Sequence, residues 1–371
     1  MSPYAHITGW GMAVPPRVVT NDELSKRIDT TDEWIQSHTG IRERRVVSEE
    51  QTTASLGVEA SQRALDMARL KPNDLDLIIV STSTPDHIFP ATACLVQDRL
   101  GASKAGAFDL LAACSGFIFA LNMGTQAIRT GSIKNALIIG AETLSRITDW
   151  SDRNTCVLFG DGAGAFVLQA SPEPGGVISA VMRSDGSGGD LLMVPGGGSR
   201  IPASHTSVQA GQHYIKMNGR EVFRFATRVL GQVTEEAVKQ AQLSLSDIQL
   251  VIPHQANQRI IEAALKRLDI PLENCVINLD RYGNTSTASI PIATCEAVQQ
   301  GRLKPGDKVV FVGFGGGLTW GAAVAVWKAP MPAARRVMPA RYRLYARLRS
   351  WIKRLLRRLD AVVLGRRNPY L

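Results

Sequence analysis

The chain has 371 residues, 44% of them hydrophobic, with 33 glycines. That suffices for one large α/β unit or two ordinary domains and is too apolar for a disordered chain. Residues 331–371 hold twelve Lys and Arg against one acid, Asp360, so residues 1–330 carry 30 basic and 32 acidic groups; a near-neutral body excludes nucleic-acid binding by the whole molecule.

Five cysteines, no C-x-x-C pair and no histidine cluster at zinc spacing point to reduced thiols and no structural metal. The start lacks a basic segment followed by an apolar one, and no run approaches about 18 uninterrupted apolar residues. Neither a secretory signal nor a single spanning helix is expected, and the cytoplasm is the expected compartment.

Residues 5–10 read as a first strand, and Thr20 to Glu23 offer caps for a short helix. Thr30 and Thr31 cap a segment that contains Trp34 and ends at Gly40. Trp34, beside several basic residues, is either core or a stacking surface for a purine. Thr53–Leu70 is an amphipathic helix broken by Lys71-Pro72-Asn73-Asp74, and Leu75–Ser81 is an apolar strand buried on both faces. A helix around Pro90–Leu100 follows, and Leu137–Gly140 and Val309–Val312 are further buried strands.

The centre of the chain is Ala107–Phe117 (A-F-D-L-L-A-A-C-S-G-F). It reads as a strand, a tight turn, then a buried helix over Phe117–Thr130, with Cys114 where turn meets helix. The unpaired N–H groups and dipole at a helix start favour a thiolate, the nucleophilic form of cysteine. A lone cysteine in an apolar segment is usually an inert core residue.

Two later stretches favour the enzyme reading. The second half repeats the first: Ala68–Val80 matches Ala241–Pro253 at an offset of 173 (241 minus 68), and Ala127–Lys134 matches Ala297–Lys304 at 170 (297 minus 127). The expected divisions are 1–172, 173–330 and a tail, 331–371. On the duplicated halves, His254 sits at a strand end and Asn284 in a turn near the slot of Cys114, so the three converge where α/β sheets place their sites. The glycines of Phe159–Ala165 lack the Walker lysine and read as close backbone approach. Gly313–Gly317 calls for positive φ angles or a close ligand.

Residues 1 to about 328 resemble the β-ketoacyl-acyl-carrier-protein synthase III family of thiolase-like condensing enzymes. The resemblance rests on Thr31–Ile35 (T-D-E-W-I), Thr39–Arg44 (T-G-I-R-E-R), Ala112–Phe117 (A-A-C-S-G-F), Phe159–Ala165 (F-G-D-G-A-G-A), Met217–Phe223 (M-N-G-R-E-V-F), Pro253–Asn257 (P-H-Q-A-N), Tyr282–Ser286 (Y-G-N-T-S) and Phe314–Gly321 (F-G-G-G-L-T-W-G). It implies a five-layered α-β-α-β-α fold of two related halves, a homodimer, and condensation of an acyl-CoA primer with malonyl-ACP without a cofactor.

In that chemistry Cys114 attacks the acyl thioester. The resemblance implies an oxyanion hole formed by the Cys114 N–H and one from the glycine turn at Gly315. His254 and Asn284 then hold the enolate left by malonyl decarboxylation. Trp34 and Arg153 are expected to flank the CoA adenine, Asn257 and Phe314 to line the substrate tunnel, and Phe89 to close the acyl pocket, often across the dimer. Arg259, Lys266, Arg267 and Arg224 would face the acidic carrier protein. His38 stands where several members carry arginine, and a neutral histidine stacks more weakly than a guanidinium. Superfamily acyltransferases and head-to-head condensing enzymes share Cys-His-Asn but use other acceptors.

The tail departs from the family. Over 341–364, apolar residues including Trp351 fall on one helical face and basic residues on the other, a pattern suited to an anionic membrane surface. Packing on the protein's own body or docking of the carrier protein are the alternatives.

Overall fold

The apolar stretches form two mixed sheets in the computed structural model, which describes residues 2–328 and 340–363. The first runs in the order β1 (Tyr4–Ala13), β5 (Gly162–Ser171), β4 (Asn135–Glu142), β2 (Leu77–Ser81), β3 (Gly106–Leu110). The second runs β7 (Leu250–Pro253), β8 (Lys308–Gly315), β9 (Thr319–Val326), β6 (Gly176–Ser184). In the first sheet β4, β2 and β3 run parallel, in the second β7 and β8 do, and the remaining pairs towards β1 and β6 are antiparallel. The slot that β3 fills in the first sheet holds only an isolated parallel bridge from Val251 to Cys275 in the second.

Helices make the other three layers. The longer helices are α1 (Asp32–Thr39), α2 (Thr53–Ala68), α3 (Thr92–Leu100), α4 (Gly116–Arg129), α5 (Gly219–Gln240), α6 (Gln258–Leu268), α7 (Ser289–Gln299) and α8 (Ala340–Val363). α4 and α7 are sandwiched between the sheets, where Phe117, Leu121 and Ile290 share one core with Phe166 of β5 and Phe311 of β8. Ten consecutive residues of α7, Ser289–Val298, are buried, as a helix enclosed on all sides requires. The amphipathic α2 and α3 cover the outer face of the first sheet, and α5 and α6 that of the second. This is the thiolase-like α-β-α-β-α arrangement of two duplicated halves.

The duplication is visible residue by residue at the offset of 173. Short 3₁₀ turns at 113–115 and 286–288 precede the central helices, and their neighbours Ala113 and Ser286 both adopt positive φ, 45° and 49°. A β-carbon on Gly164 would lie 2.6 Å from Pro291, so the glycine run lets α7 press onto β5, the close approach expected of it.

Some boundaries differ from expectation. The helix expected to reach Leu70 stops at Ala68, where Arg69 turns left-handed with φ 53°. β8 continues through Gly315, and β9 follows it. The small residues of β9 have weak strand propensity, but its interior leaves no room for larger ones, as at Gly321, where a β-carbon would lie 2.7 Å from the Val181 carbonyl. The tail forms α8 as expected, and the parts of the expected tail at 331–339 and 364–371 lie outside the described residues.

Candidate active site

Cys114 is placed as the sequence suggested, in the 3₁₀ turn Ala113–Ser115 between β3 and α4. The turn is anchored by Ser115, whose Oγ donates to the Ala112 carbonyl at 2.9 Å and pairs with Thr319 Oγ1 at 2.8 Å. Gly315, at the end of β8, lies directly over the nucleophile: a β-carbon there would sit 2.6 Å from the Cys114 amide nitrogen. No residue with a side chain fits that position without moving backbone.

The expected easily ionised thiol is not what the site holds. Burial pushes the Cys114 thiol up to about 12; the Ser286 hydrogen bond lowers it, and the nearby Glu142 charge raises it. Desolvation of a sulfur only 8% exposed outweighs the helix-start field, which acts fully only on a charge that can form. Burial thus favours the protonated form of Cys114.

His254 follows β7 and is 1% exposed. Its backbone N–H bonds the Val312 carbonyl at 2.7 Å, and its ring meets Phe314 edge-on at 5.5 Å. Burial drives its pKa down to about 3, opposed by a backbone hydrogen bond with Ser286, so the imidazole is neutral. Nδ1 lies 2.8 Å from Ser289 Oγ, which already accepts from the Gln255 N–H at 3.3 Å. When the serine donates its proton to Nδ1, the ring proton of the neutral imidazole sits on Nε2. Asn284 is fixed similarly: its Oδ1 accepts from the Ser286 N–H at 2.8 Å, which leaves its amide nitrogen as the donor end.

Cys114, His254, Asn284, Phe314 and Gly315 line one cavity of ≈ 830 Å³. Among the described residues no group of three or more His, Cys, Asp or Glu side chains is gathered that could hold a metal.

Sequence reasoning missed the layer behind these residues. Ser289 sits in a Ser/Thr-rich helix start that reads as a cap, and Glu142 ends a buried strand, the one available hint. Glu142 is fully buried and accepts from Thr84 Oγ1 at 2.6 Å, the Ser83 N–H at 3.1 Å and Ser286 Oγ at 3.0 Å. It ties the first sheet to the turn carrying Asn284. Burial raises its pKa to about 7 from 4.5, with hydrogen bonds from Thr84, Ser83 and Ser286 opposing. Between those values the folded chain holds more proton than the unfolded one, so this group's contribution is complete below pH 4.5 and is lost as pH rises through 7. Denaturant titration should show a fall of up to about 3 kcal/mol over that range that Glu142→Gln removes; equal slopes in both proteins would refute it.

The offset of 173 adds one more relation. Thr287 stands in the second half where Cys114 stands in the first, and Ser81 where His254 stands in the second. Thr287 Oγ1 and Ser81 Oγ bond each other at 2.9 Å.

Comparison with known proteins agrees with the geometry. Residues 108–186 match the 3-oxoacyl-[acyl-carrier-protein (ACP)] synthase III family, and residues 238–327 match its C-terminal part. The chain is 52% identical over 329 residues to the β-ketoacyl-[acyl-carrier-protein] synthase III of Roseiflexus sp. (strain RS-1), covering 89% of this chain and 100% of that one. The chain belongs to the β-ketoacyl-[acyl-carrier-protein] synthase III family. A relative from Desulfitobacterium hafniense (strain DSM 10664 / DCB-2) is 54% identical over 321 residues, 86% of this chain and 97% of that one. The solved 3-oxoacyl-[acyl-carrier-protein] synthase III of Aquifex aeolicus VF5 superposes with a TM-score of 0.81 at 46% identity, covering 87% and 100% of the two chains.

At the mouth of this synthase III cavity stand Trp34, His38 and Asn257. The Arg153 guanidinium lies 4.5 Å over the Trp34 ring, and His38 stacks on Trp34 at 4.4 Å and 22°. Arg153 also donates to the Asp29 carbonyl at 2.9 Å, so it is held against the Trp34 ring. Asn257 caps α6 and donates to the His38 carbonyl at 2.9 Å, tying the two sides of the mouth together. Arg259, Lys266, Arg267 and Arg224 are all exposed. Arg259 lies over the Phe223 ring at 5.6 Å, and Arg224 is paired with Glu221 at 2.9 Å. Phe89 stands apart from the cavity, 85% exposed, on the loop between β2 and α3.

Proposed function

We infer that the protein is a β-ketoacyl-[acyl-carrier-protein] synthase III, joining an acyl-CoA primer to malonyl-ACP through an acyl-cysteine. The observation that carries this is the neutral Cys114–His254–Asn284 set in one cavity with Gly315 packed on the nucleophile's amide.

In the first half-reaction Cys114 Sγ bonds to the acyl carbon, the carbon–sulfur bond to CoA breaks, and the thiol proton ends on the departing CoA sulfur. The oxyanion of the intermediate is held by the Cys114 N–H and the backbone at Gly315. In the second, the malonyl carbon–carbon bond breaks and carbon dioxide leaves. The electron pair moves into an enolate whose oxygen accepts from His254 Nε2–H and Asn284 Nδ2–H. The enolate carbon attacks the acyl carbon, and Cys114 sulfur departs and takes up a proton. A neutral histidine suits this step because it donates without being drained by a resident ion pair.

CoA enters past Trp34 and Arg153 and the pantetheine arm past Asn257 and Phe314, while Arg259, Lys266, Arg267 and Arg224 face the acidic carrier protein. No organic or metal cofactor is assigned to these steps. A division into halves at 172/173 follows the duplication. Assembly as a homodimer is supported by β3, an edge strand with Phe108 half-exposed, flanked by exposed Ile88, Phe89 and Leu111; pairing there would carry Phe89 to a neighbouring pocket, and a monomeric mass in solution would refute it.

The function is tested by incubating the protein with a panel of acyl-CoAs and malonyl-ACP and weighing all products. A β-ketoacyl-ACP two carbons longer than one primer is expected. An acyl-Cys114 adduct with no condensed carrier protein would overturn the acceptor assignment.

A further inference from the structure

Helix α8 is docked against the body with the wrong face inward for a soluble amphipathic helix. Ser350 Oγ donates to Asp98 Oδ2 at 2.6 Å and Arg354 Nη2 bonds the same oxygen at 3.0 Å, which ties α8 to α3. At about 100° per residue, Ser350 and Arg354 lie on the polar side of the helix. Leu344, Leu348, Trp351, Leu355 and Leu359 share an arc of about 80° whose centre lies more than about 90° from both. These five side chains are 39–68% exposed. A helix that merely packs on its own protein buries that arc; here the arc is exposed and the contact with the body is made through Ser350 and Arg354, so the apolar face is held out for another surface.

We propose that α8 is a membrane-surface anchor, latched to the body through Asp98, whose outward face lies in the headgroup region of an anionic bilayer. Charge selects this occupant. Twelve basic residues against one acid between 331 and 371 complement a surface of anionic lipid and oppose the pairing of two such tails face to face. Trp351 within the apolar arc suits the interface between headgroups and acyl chains. At 24 residues α8 is about 36 Å long, yet among the described residues no helix is long and apolar enough to cross a membrane, so the mode is lying on the surface. The anchor is this chain's own addition: the Roseiflexus relative is covered end to end by 329 residues of it.

The test is flotation of the full chain with vesicles of phosphatidylcholine alone or mixed with phosphatidylglycerol, roughly two to one. Binding to the mixed vesicles about tenfold above that to phosphatidylcholine is expected, and high salt should weaken it. The double variant Leu348→Glu/Leu355→Glu should fall to the phosphatidylcholine level while keeping full condensing activity, which shows that it is folded. Asp98→Ala should still float, because the latch lies on the side away from lipid. Equal binding by the double variant, no binding by the parent, or loss of binding in Asp98→Ala would overturn the proposal. So would concentration-dependent doubling of mass without lipid that the double variant abolishes, since that marks a second copy as the occupant.

Discussion

Cys114→Ala is expected to form no acyl-enzyme and to lose condensation by at least roughly 10³-fold while still releasing carbon dioxide from malonyl-ACP. His254→Ala and Asn284→Ala are expected to do the reverse. Each should accept the acyl group on Cys114 and lose decarboxylation by about 10²–10³-fold, the usual cost of one donor to a developing oxyanion. The separation follows from the geometry. Cys114 and Gly315, the groups proposed for acylation, meet at the start of α4, whereas His254 and Asn284, the proposed enolate donors, are held by Ser289 and Ser286 of the other half. Intact mass measurement reports the acyl adduct, and labelled carbon dioxide reports decarboxylation. Normal decarboxylation in His254→Ala would remove His254 from the enolate step.

Gly315→Ala should be nearly as damaging without touching any catalytic side chain. The added methyl would lie 2.6 Å from the Cys114 amide nitrogen and 3.1 Å from the Ala113 β-carbon. The turn beneath it already carries a positive φ at Ala113 and is pinned by Ser115 to Thr319, so it has no cheap direction of retreat. Since that amide is one of the two groups assigned to the oxyanion, acylation should slow by about 10²-fold or more, with a stability loss of only about 1–3 kcal/mol. Single-turnover acylation at the parent rate would show that the backbone over Cys114 has no such role.

The difference between what the sequence revealed and what it hid is a difference in range. Turn-to-helix patterns place Cys114, His254 and Asn284 because local propensity and a repeat at 173 residues act along the chain. The same repeat made the paired layers legible, down to matching turns at Ala113 and Ser286. Hidden were properties that depend on what surrounds a group in space. A helix start argues for a thiolate, but enclosure by both halves reverses the sign at Cys114. Local pattern leaves Trp34 as either core or a stacking surface, and what decides its surroundings is Arg153, more than a hundred residues away, which lies over its ring. Glu142 draws its donors from Ser83, Thr84 and Ser286, on segments that no pattern links. For Phe89, the sequence alone does not say which molecule's pocket it would close.

The neutral state of the buried Cys114 thiol also bears on chemical safety. Oxidants and simple alkylating agents attack thiolates, and a thiol pushed up to about 12 offers almost none at neutral pH. A buried thiol held in its protonated form is a poor target for peroxide and for indiscriminate electrophiles. Reactivity arises only when a bound thioester supplies both the carbonyl that the backbone donors await and a sulfur to receive the proton. A covalent inhibitor of this enzyme therefore needs an acceptor oxygen placed for Cys114 and Gly315 more than it needs an intrinsically reactive warhead.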